Sequence, residues 1–289
     1  MTLTREAIPY PHWLFTHPTC GDALRVVPER GGLVTGWQSG GREWLYLDGT
    51  RFADPALSVR GGIPVLFPIC GNLPGDTLPL PQGRFTLRQH GFARDLPWTL
   101  EPLADGQGVA LTLVDDVTTR AAYPFAFVLR FELRLAPGTL AIEACVSHTG
   151  PAEAPPMPFS LGLHPYFQVS ALDAVELDGL QEQCFNHLSQ GEVATASQLE
   201  RLGEGVDLLT RSVAGAVSLR DRAAGTTLTL ETTSPLDRVV VWTDPPRPMV
   251  CLEPWTAPRQ ALVSGDRRLL LAPGENRNLH CRYRLETLA

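Results

Sequence analysis

The sequence predicts an all-β fold of mostly antiparallel, twisted sheets with few short helices. Many short runs alternate apolar and polar residues with period two. Glycine and proline, 26 of each in 289 residues, break those runs at turn-length spacing. No long amphipathic helical pattern intervenes, which favours a sandwich or barrel over a βαβ fold.

Leu24–Val27 and Leu33–Trp37 read as strands on either side of the Arg30-Gly31-Gly32 turn. Residues 54–98 are the least regular and are rich in Gly and Pro. A long irregular stretch inside a β domain commonly builds a binding surface. Val109–Val114 is a further strand. Residues 129–147 place two alternating runs around Ala136-Pro137-Gly138-Thr139, a hairpin pattern. In it Phe131, Leu133 and Leu135 face a core, and Arg130, Glu132 and Arg134 face solvent. Short helical turns are expected around 171–182 and 196–202. Val217–Leu219 and Thr227–Glu231 flank Ala224-Gly225, and Val239–Trp242 suits a buried strand. Leu269–Leu271 and Leu279–Leu285 flank Pro273-Gly274 and close the chain. No repeat or low-complexity linker divides the sequence, so one domain over 1–289 is expected.

A net charge of −7 argues against nucleic acid or an anionic membrane as the main partner. A local pair of arginines can still bind a small anion. All 24 basic residues are arginine. Without lysine there is no Schiff-base chemistry on that side chain and no Walker-type phosphate loop. The six cysteines form no C-x-x-C pair and sit mostly among apolar residues, which reads as buried reduced thiols in a cytoplasmic protein. No run is long and apolar enough to span a bilayer. His12 and His17 lack nearby partners for a zinc site, so no metal is expected. Neither a dinucleotide fingerprint nor a nucleophile elbow is present, and no cofactor is expected.

Two histidines, a carboxylate and two arginines stand out. His164 lies in Leu-His-Pro-Tyr-Phe at 163–167; an apolar neighbourhood would tune its imidazole, though a satisfied structural histidine fits as well. Glu253 follows Met249–Leu252, an apolar run that reads as a buried strand. A carboxylate there is costly unless paired or functional. Arg60 precedes Gly61-Gly62, where a guanidinium and backbone N–H groups could hold an anion together, or where a surface turn simply carries an arginine. Gln89-His90-Gly91-Phe92-Ala93-Arg94 adds a second arginine, for which a local pair with Asp95 is the plain alternative.

In their order along the chain, these segments resemble the aldose 1-epimerase (galactose mutarotase-like) superfamily, and within it the hexose-6-phosphate mutarotase branch. The resemblance rests on Arg60-Gly61-Gly62-Ile63-Pro64, Phe67-Pro68, Gln89–Arg94, His164-Pro165-Tyr166-Phe167, Val240-Val241-Trp242 and Glu253-Pro254-Trp255, across about 20–285. It implies a β-supersandwich with His164 as general acid and Glu253 as general base. It also implies substrate contacts from Arg60, Gln89, His90 and Arg94, and from an aspartate, for which Asp207 falls at the expected place while Asp173 and Asp178 are alternatives. The implied reaction interconverts the α and β anomers of a hexose, expected to be a hexose 6-phosphate, by acid/base ring opening. The expected picture sets the two groups on opposite sides of the hemiacetal, across a pyranose-wide pocket. Cys70 and Pro165 depart from the residues common in phosphosugar members. A mutarotase for non-phosphorylated aldoses and a non-catalytic carbohydrate-binding protein therefore stand as alternatives. The implied partner is a small sugar or sugar phosphate, with the chain a monomer or weak dimer. A glycoside hydrolase would need a second carboxylate across the scissile bond.

Overall fold

The structure, a computed structural model, describes residues 2–287. Strands dominate it. Its α-helices among the described residues are Gly49–Ala53, Val117–Ala122, Thr195–Leu199 and Ala261–Ser264. None is long and apolar enough to cross a membrane. Local chemistry sets their starts: Asp48 caps the first, and Asp116 forms a reciprocal capping box with Thr119 on the second.

One antiparallel sheet has eight strands in the order Val175–Asp178, Ala216–Asp221, Thr226–Thr232, Asn276–Thr287, Thr139–His148, Phe127–Ala136, Gly108–Val114 and Thr99–Pro102. The predicted hairpin lies at its centre. Phe127, Leu129, Phe131, Leu133 and Leu135 are buried, and the alternating Arg130, Glu132 and Arg134 are not. A second sheet, also of eight strands, runs Gly191–Ala194, Gln183–Asn186, Asp207–Arg211, Arg238–Trp242, Met249–Trp255, Gly162–Leu163 and Val65–Leu66, with Gly191–Ala194 at one edge; Tyr166–Gln168 pairs beside Gly162–Leu163 on Met249–Trp255. Five N-terminal strands, from Thr2–Glu6 to Arg42–Glu43, form a third sheet.

A single apolar cluster joins all three sheets, from Phe15 and Leu24 through Phe131 and Ile142 to Val241 and Leu252. Each such side chain contributes about 1.5–3 kcal/mol on burial. Tyr283 of the first sheet donates its hydroxyl to the Leu252 carbonyl of the second, 3.1 Å away. The period-two pleat then divides the second sheet into two faces. Leu208, Val239, Val241, Val250 and Leu252 enter the main core. Asp207, Val240, Trp242, Cys251, Glu253 and Trp255 alternate with them, and Val240, Cys251 and Trp255 belong to smaller separate clusters.

Short helical turns form at Leu172–Ala174, Thr195–Leu199 and Leu202–Glu204, in the two stretches expected to hold them. Around 171–182 only Leu172–Ala174 forms a helical turn, and Val175–Asp178 is an edge strand. Val175 and Leu177 are buried there while Glu176 and Asp178 are not, so pairing with Ala216–Asp221 outweighs local helix propensity. Leu269–Leu271 pairs with Met157–Phe159, and Asn276–Thr287 inserts between Thr139–His148 and Thr226–Thr232. Between them the backbone of Gly274 and Glu275 is taken by both backbone groups of His148, which steers the chain onto the large sheet.

Residues 54–98 hold little regular structure beyond Val65–Leu66 and the hairpin Thr77–Leu80/Gly83–Thr86. The segment is fixed by backbone contacts instead. Phe92 and Ala93 both donate to the Phe67 carbonyl. Gly91 has φ +68°, and a Cβ there would lie 2.2 Å from the same carbonyl oxygen. Strain and overlap act together at this position, so Gly91→Ala is predicted to lower stability by about 2–5 kcal/mol. Urea unfolding measures this; a change within about 0.5 kcal/mol, the range of a neutral surface substitution, would show that the approach is not obligatory.

Candidate active site

Strand register brings His164 to Glu253. Gly162 pairs with Trp255, and Tyr166 with Cys251. Carried between those pairs, the same register sets position 164 opposite position 253. Pro165 offers no N–H to the ladder at this point, and His164 N–H turns to the Pro64 carbonyl at 3.0 Å. Gly162 permits the close approach: a Cβ would lie 2.7 Å from the Trp255 ring and 3.0 Å from Cys70 Sγ. As a result His164 Nε2 lies 3.4 Å from Glu253 Oε1. The two are neighbours on one sheet face, not opposed across a pyranose-wide gap as the sequence reading had them.

Aromatic residues hold the pair. The Tyr166 ring stacks on His164 at 4.7 Å, and Trp242 meets it edge-on at 5.6 Å. Trp255 donates its indole N–H to Glu253 Oε2 at 3.0 Å. His90, at φ +68°, sits with its ring centre 5.9 Å from that of His164. Gly71 N–H donates to His90 Nδ1 at 3.1 Å, which leaves the ring proton on Nε2; the Gln89 amide nitrogen, 3.3 Å from Nε2, is itself a donor and so is not the acceptor of that proton. Burial, then Arg94 and His164, push the His90 pKa well below the usual imidazole range. His90 is thus a neutral donor.

Asp207 opens its strand opposite Trp242. His187 Nδ1 donates to its Oδ1 and Arg259 Nη2 to its Oδ2, each at 2.6 Å. Burial opposes its charge, yet these two partners hold the carboxyl below its ordinary range. Asp178 instead faces Arg220 at 3.6 Å, and Asp173 belongs to the Leu172–Ala174 turn, so Asp207 is the one of the three in the cleft.

Arg60 and Arg94 come from the irregular segment. Arg60 lies 3.8 Å from Asp244, a carboxylate that also accepts from Arg247 at 2.7 Å. Its guanidinium lies over Trp242 at 5.6 Å. Arg94 donates to the Gln89 carbonyl at 3.0 Å and has no carboxylate within salt-bridge distance among the described residues, Asp95 included. Arg60, Gln89, His90, Arg94, His164, Asp207 and Glu253 all line one cavity of about 210 Å³. Ser58, Tyr166, Trp242, Trp255 and Arg259 line it too, with His187 behind Asp207; no site role was read for these from sequence. Tyr166, Trp242 and Trp255 stood inside the recognised segments, whereas nothing local marks Arg259 or His187.

Burial dominates the electrostatics of this pair. Burial, then the Arg94 and Arg60 charges, lower the His164 pKa to about 3. Burial, then the Asp207 carboxylate, raise Glu253 well above the carboxylate range, against the Trp255 hydrogen bond. Burial, more than any neighbouring charge, thus disfavours the charged form of each group. His164 Nδ1 is buried with no partner among the described residues, so an imidazolium would leave one N–H unsatisfied. His164, Cys251 and Glu253 also bring one ligand atom each within 4.8 Å of one another. Burial holds the Cys251 thiol well above its usual range, which disfavours the thiolate a metal would need. All six cysteines are free, four of them buried.

The sequence pattern of the family described as Aldose 1-epimerase matches residues 21–284. The chain belongs to that family. Among solved structures this family member is similar to Slr1438 from Synechocystis sp. PCC 6803, at 33% identity and TM-score 0.90 over 99% of both chains. It shares the fold of a galactose 1-epimerase from Lactobacillus acidophilus NCFM at 14% identity and TM-score 0.75, covering 100% of this chain and 98% of the other. A curated relative from Cenchrus ciliaris, named "Putative glucose-6-phosphate 1-epimerase", is 29% identical over 52% of this chain and 45% of its own length. A relative of the same name from Escherichia coli is 30% identical over 56% of this chain and 51% of its own length. The chain thus spans about half the length of these two curated relatives.

Removal of the indole donor should disfavour the Glu253 carboxylate. A hydrogen bond to a charged group is worth about 1.5–3 kcal/mol, so Trp255→Phe is predicted to move the acidic limb of kcat/KM for anomer exchange up by about one pH unit or more. An unmoved limb would mean that Glu253 does not set it.

Proposed function

We propose that this chain is an aldose 1-epimerase acting on hexose 6-phosphates. The observation that carries the reading is the His164–Glu253 pair, 3.4 Å apart in a cavity that Arg60 and Arg94 also line. Ring opening needs one proton taken from the C1 hydroxyl and one given to the ring oxygen. Both oxygens are bonded to C1, so two adjacent groups can reach them from one side. Glu253 takes the hydroxyl proton as the C1–ring-oxygen bond breaks and C1 becomes a carbonyl carbon. His164 protonates the departing ring oxygen. The aldehyde rotates about C1–C2 and recloses with the proton flow reversed. His90 Nε2–H and the Asp207 carboxylate are suited to sugar hydroxyls, and Asp207 is held in place by His187 and Arg259. Tyr166 and Trp242, edge-to-face at 5.8 Å, line the cavity and offer apolar surface to the ring. Arginine's planar fork suits a phosphate, and Arg94 has a charge without a carboxylate partner among the described residues. Relatives named for glucose 6-phosphate support the same substrate class.

Each positioned acid or base contributes ~10²–10⁴-fold, so His164→Ala and Glu253→Gln are each predicted to slow anomer exchange of glucose 6-phosphate at least ~10²-fold with the fold retained. Saturation-transfer NMR measures the rate; near-normal exchange in both variants would refute the assignment. Arg60→Gln and Arg94→Gln should each raise KM for glucose 6-phosphate at least ~10-fold, the loss of one charge-assisted contact, while changing KM for glucose far less. Equal losses on both sugars would point to a neutral aldose as substrate.

A further inference from the structure

The face of the second sheet that carries Glu253 continues past the cavity described above. Glu253 pairs with Val240, Val240 with Leu209, and Leu209 with Phe185, one residue from each of four neighbouring strands. Partners directly across a ladder point to the same face, so the four form one row. Leu209 packs on the cluster that contains Val240, which confirms its side. Strands lie about 4.8 Å apart, so along the row the Leu209 backbone is about 10 Å and the Phe185 backbone about 14 Å from that of Glu253. Val240 lines the first cavity, and Leu209 and Phe185 line a second, of about 640 Å³. Arg259 lines both, so the two cavities meet at its side chain. Its stem lies against Gly71, where a Cβ would come within 2.2 Å of Arg259 Cγ, and its Nη2 is fixed on Asp207 at 2.6 Å. His187, the other partner of Asp207, also lines the second cavity.

The second cavity has the chemistry of a sugar site. Leu209 and Phe185 give it an apolar floor, and Asn72, Gln181, Gln183 and Gln260 bring side-chain amides to its rim. Among the described residues these four bond only through backbone atoms, so their amides are free for a ligand. An amide both donates and accepts, as sugar hydroxyls do. The charged groups balance, Arg238 and Arg259 against Glu192 and Asp266, which suits a neutral polyol better than a second anion. Resting on the ring placement proposed above, we propose that this cavity is a subsite for a second sugar unit, and that the enzyme takes the reducing end of a disaccharide. With C1 and the ring oxygen at the His164–Glu253 pair and C6 toward Arg60 and Arg94, the hydroxyls farthest from the reacting bond are those on C3 and C4. A glycosyl group on either oxygen passes Asp207 and Arg259 and lies over Leu209 and Phe185. The bond changes are those of ring opening: the hemiacetal of the reducing unit opens and recloses, and the glycosidic bond is untouched.

Saturation-transfer NMR on the intact protein tests this with glucose, the 4-linked cellobiose and maltose, the 3-linked laminaribiose and the 6-linked isomaltose, after subtraction of the enzyme-free rate. Contacts made equally in the ground and transition states raise kcat/KM. Several new hydrogen bonds and an apolar floor should give at least one of the 3- or 4-linked disaccharides a kcat/KM at least ~10-fold above that of glucose. Isomaltose, joined through the C6 oxygen, should show no gain. Phe185→Ala and Gln183→Ala should each remove most of the gain and leave exchange of glucose and glucose 6-phosphate within about twofold, as for a neutral surface substitution. Gln183 is exposed, so its variant keeps the test open if Phe185→Ala does not fold. If no disaccharide exceeds glucose, or if both variants slow every sugar alike, this inference falls; the phosphosugar reading stands as long as exchange of glucose 6-phosphate still depends on Arg60 and Arg94. If a 3- or 4-linked disaccharide gains and glucose 6-phosphate has no advantage over glucose, the subsite stands and the phosphosugar reading falls. An equal gain for isomaltose would overturn the ring placement and the subsite with it.

Discussion

The site depends on the register between Met249–Trp255 and the broken strand formed by residues 162–168. Two pairs fix it, Gly162 with Trp255 and Tyr166 with Cys251, and the position between them is dictated once they form. A slip of one residue would turn Glu253 into the apolar core and Leu252 toward the cavity. Leu252, fully buried on the opposite face, and the Tyr283 hydroxyl on its carbonyl hold the strand against such a slip. The free energy of the core thereby keeps a buried carboxylate beside a half-buried imidazole, a pairing that desolvation opposes.

Electrostatics in the cleft run against the charge of the whole molecule. The chain carries −7 overall, yet its cavity gathers Arg60, Arg94 and Arg259. Net charge governs long-range behaviour, whereas affinity for a small ligand follows the few groups it touches. Aromatic walls add to the effect by excluding water, which strengthens each remaining interaction.

Much of this was legible in the residues. The all-β class followed from period-two runs and their turns, and the central hairpin appeared where Pro137-Gly138 placed it. The segments carrying His164, Glu253, Arg60 and Arg94 were visible because each sets a polar group among glycines, prolines or apolar residues. What stayed hidden depends on long-range pairing. Arg259 reaches Asp207 across 52 positions, and His187 does so through a neighbouring strand. Neither sits in a local pattern that differs from an ordinary surface residue. The edge strand at Val175–Asp178 and the route of the last strand were likewise decided by which sheet edge lay open. The contact between His164 and Glu253 was also out of reach, since side-chain distance follows from register and not from spacing.

Phe67 carries a last consequence. Its carbonyl oxygen holds the loop that bears Gln89, His90 and Arg94 by two backbone N–H groups, so, Gly91 apart, this attachment does not run through the side chains the loop displays. The His164–Glu253 pair, in contrast, is fixed by the strand register. On the proposed reading, recognition and chemistry are therefore carried by separable parts of one molecule. Exchange of a few loop positions would then retune which ligand is held while the pair on the sheet passes unchanged from one specificity to the next.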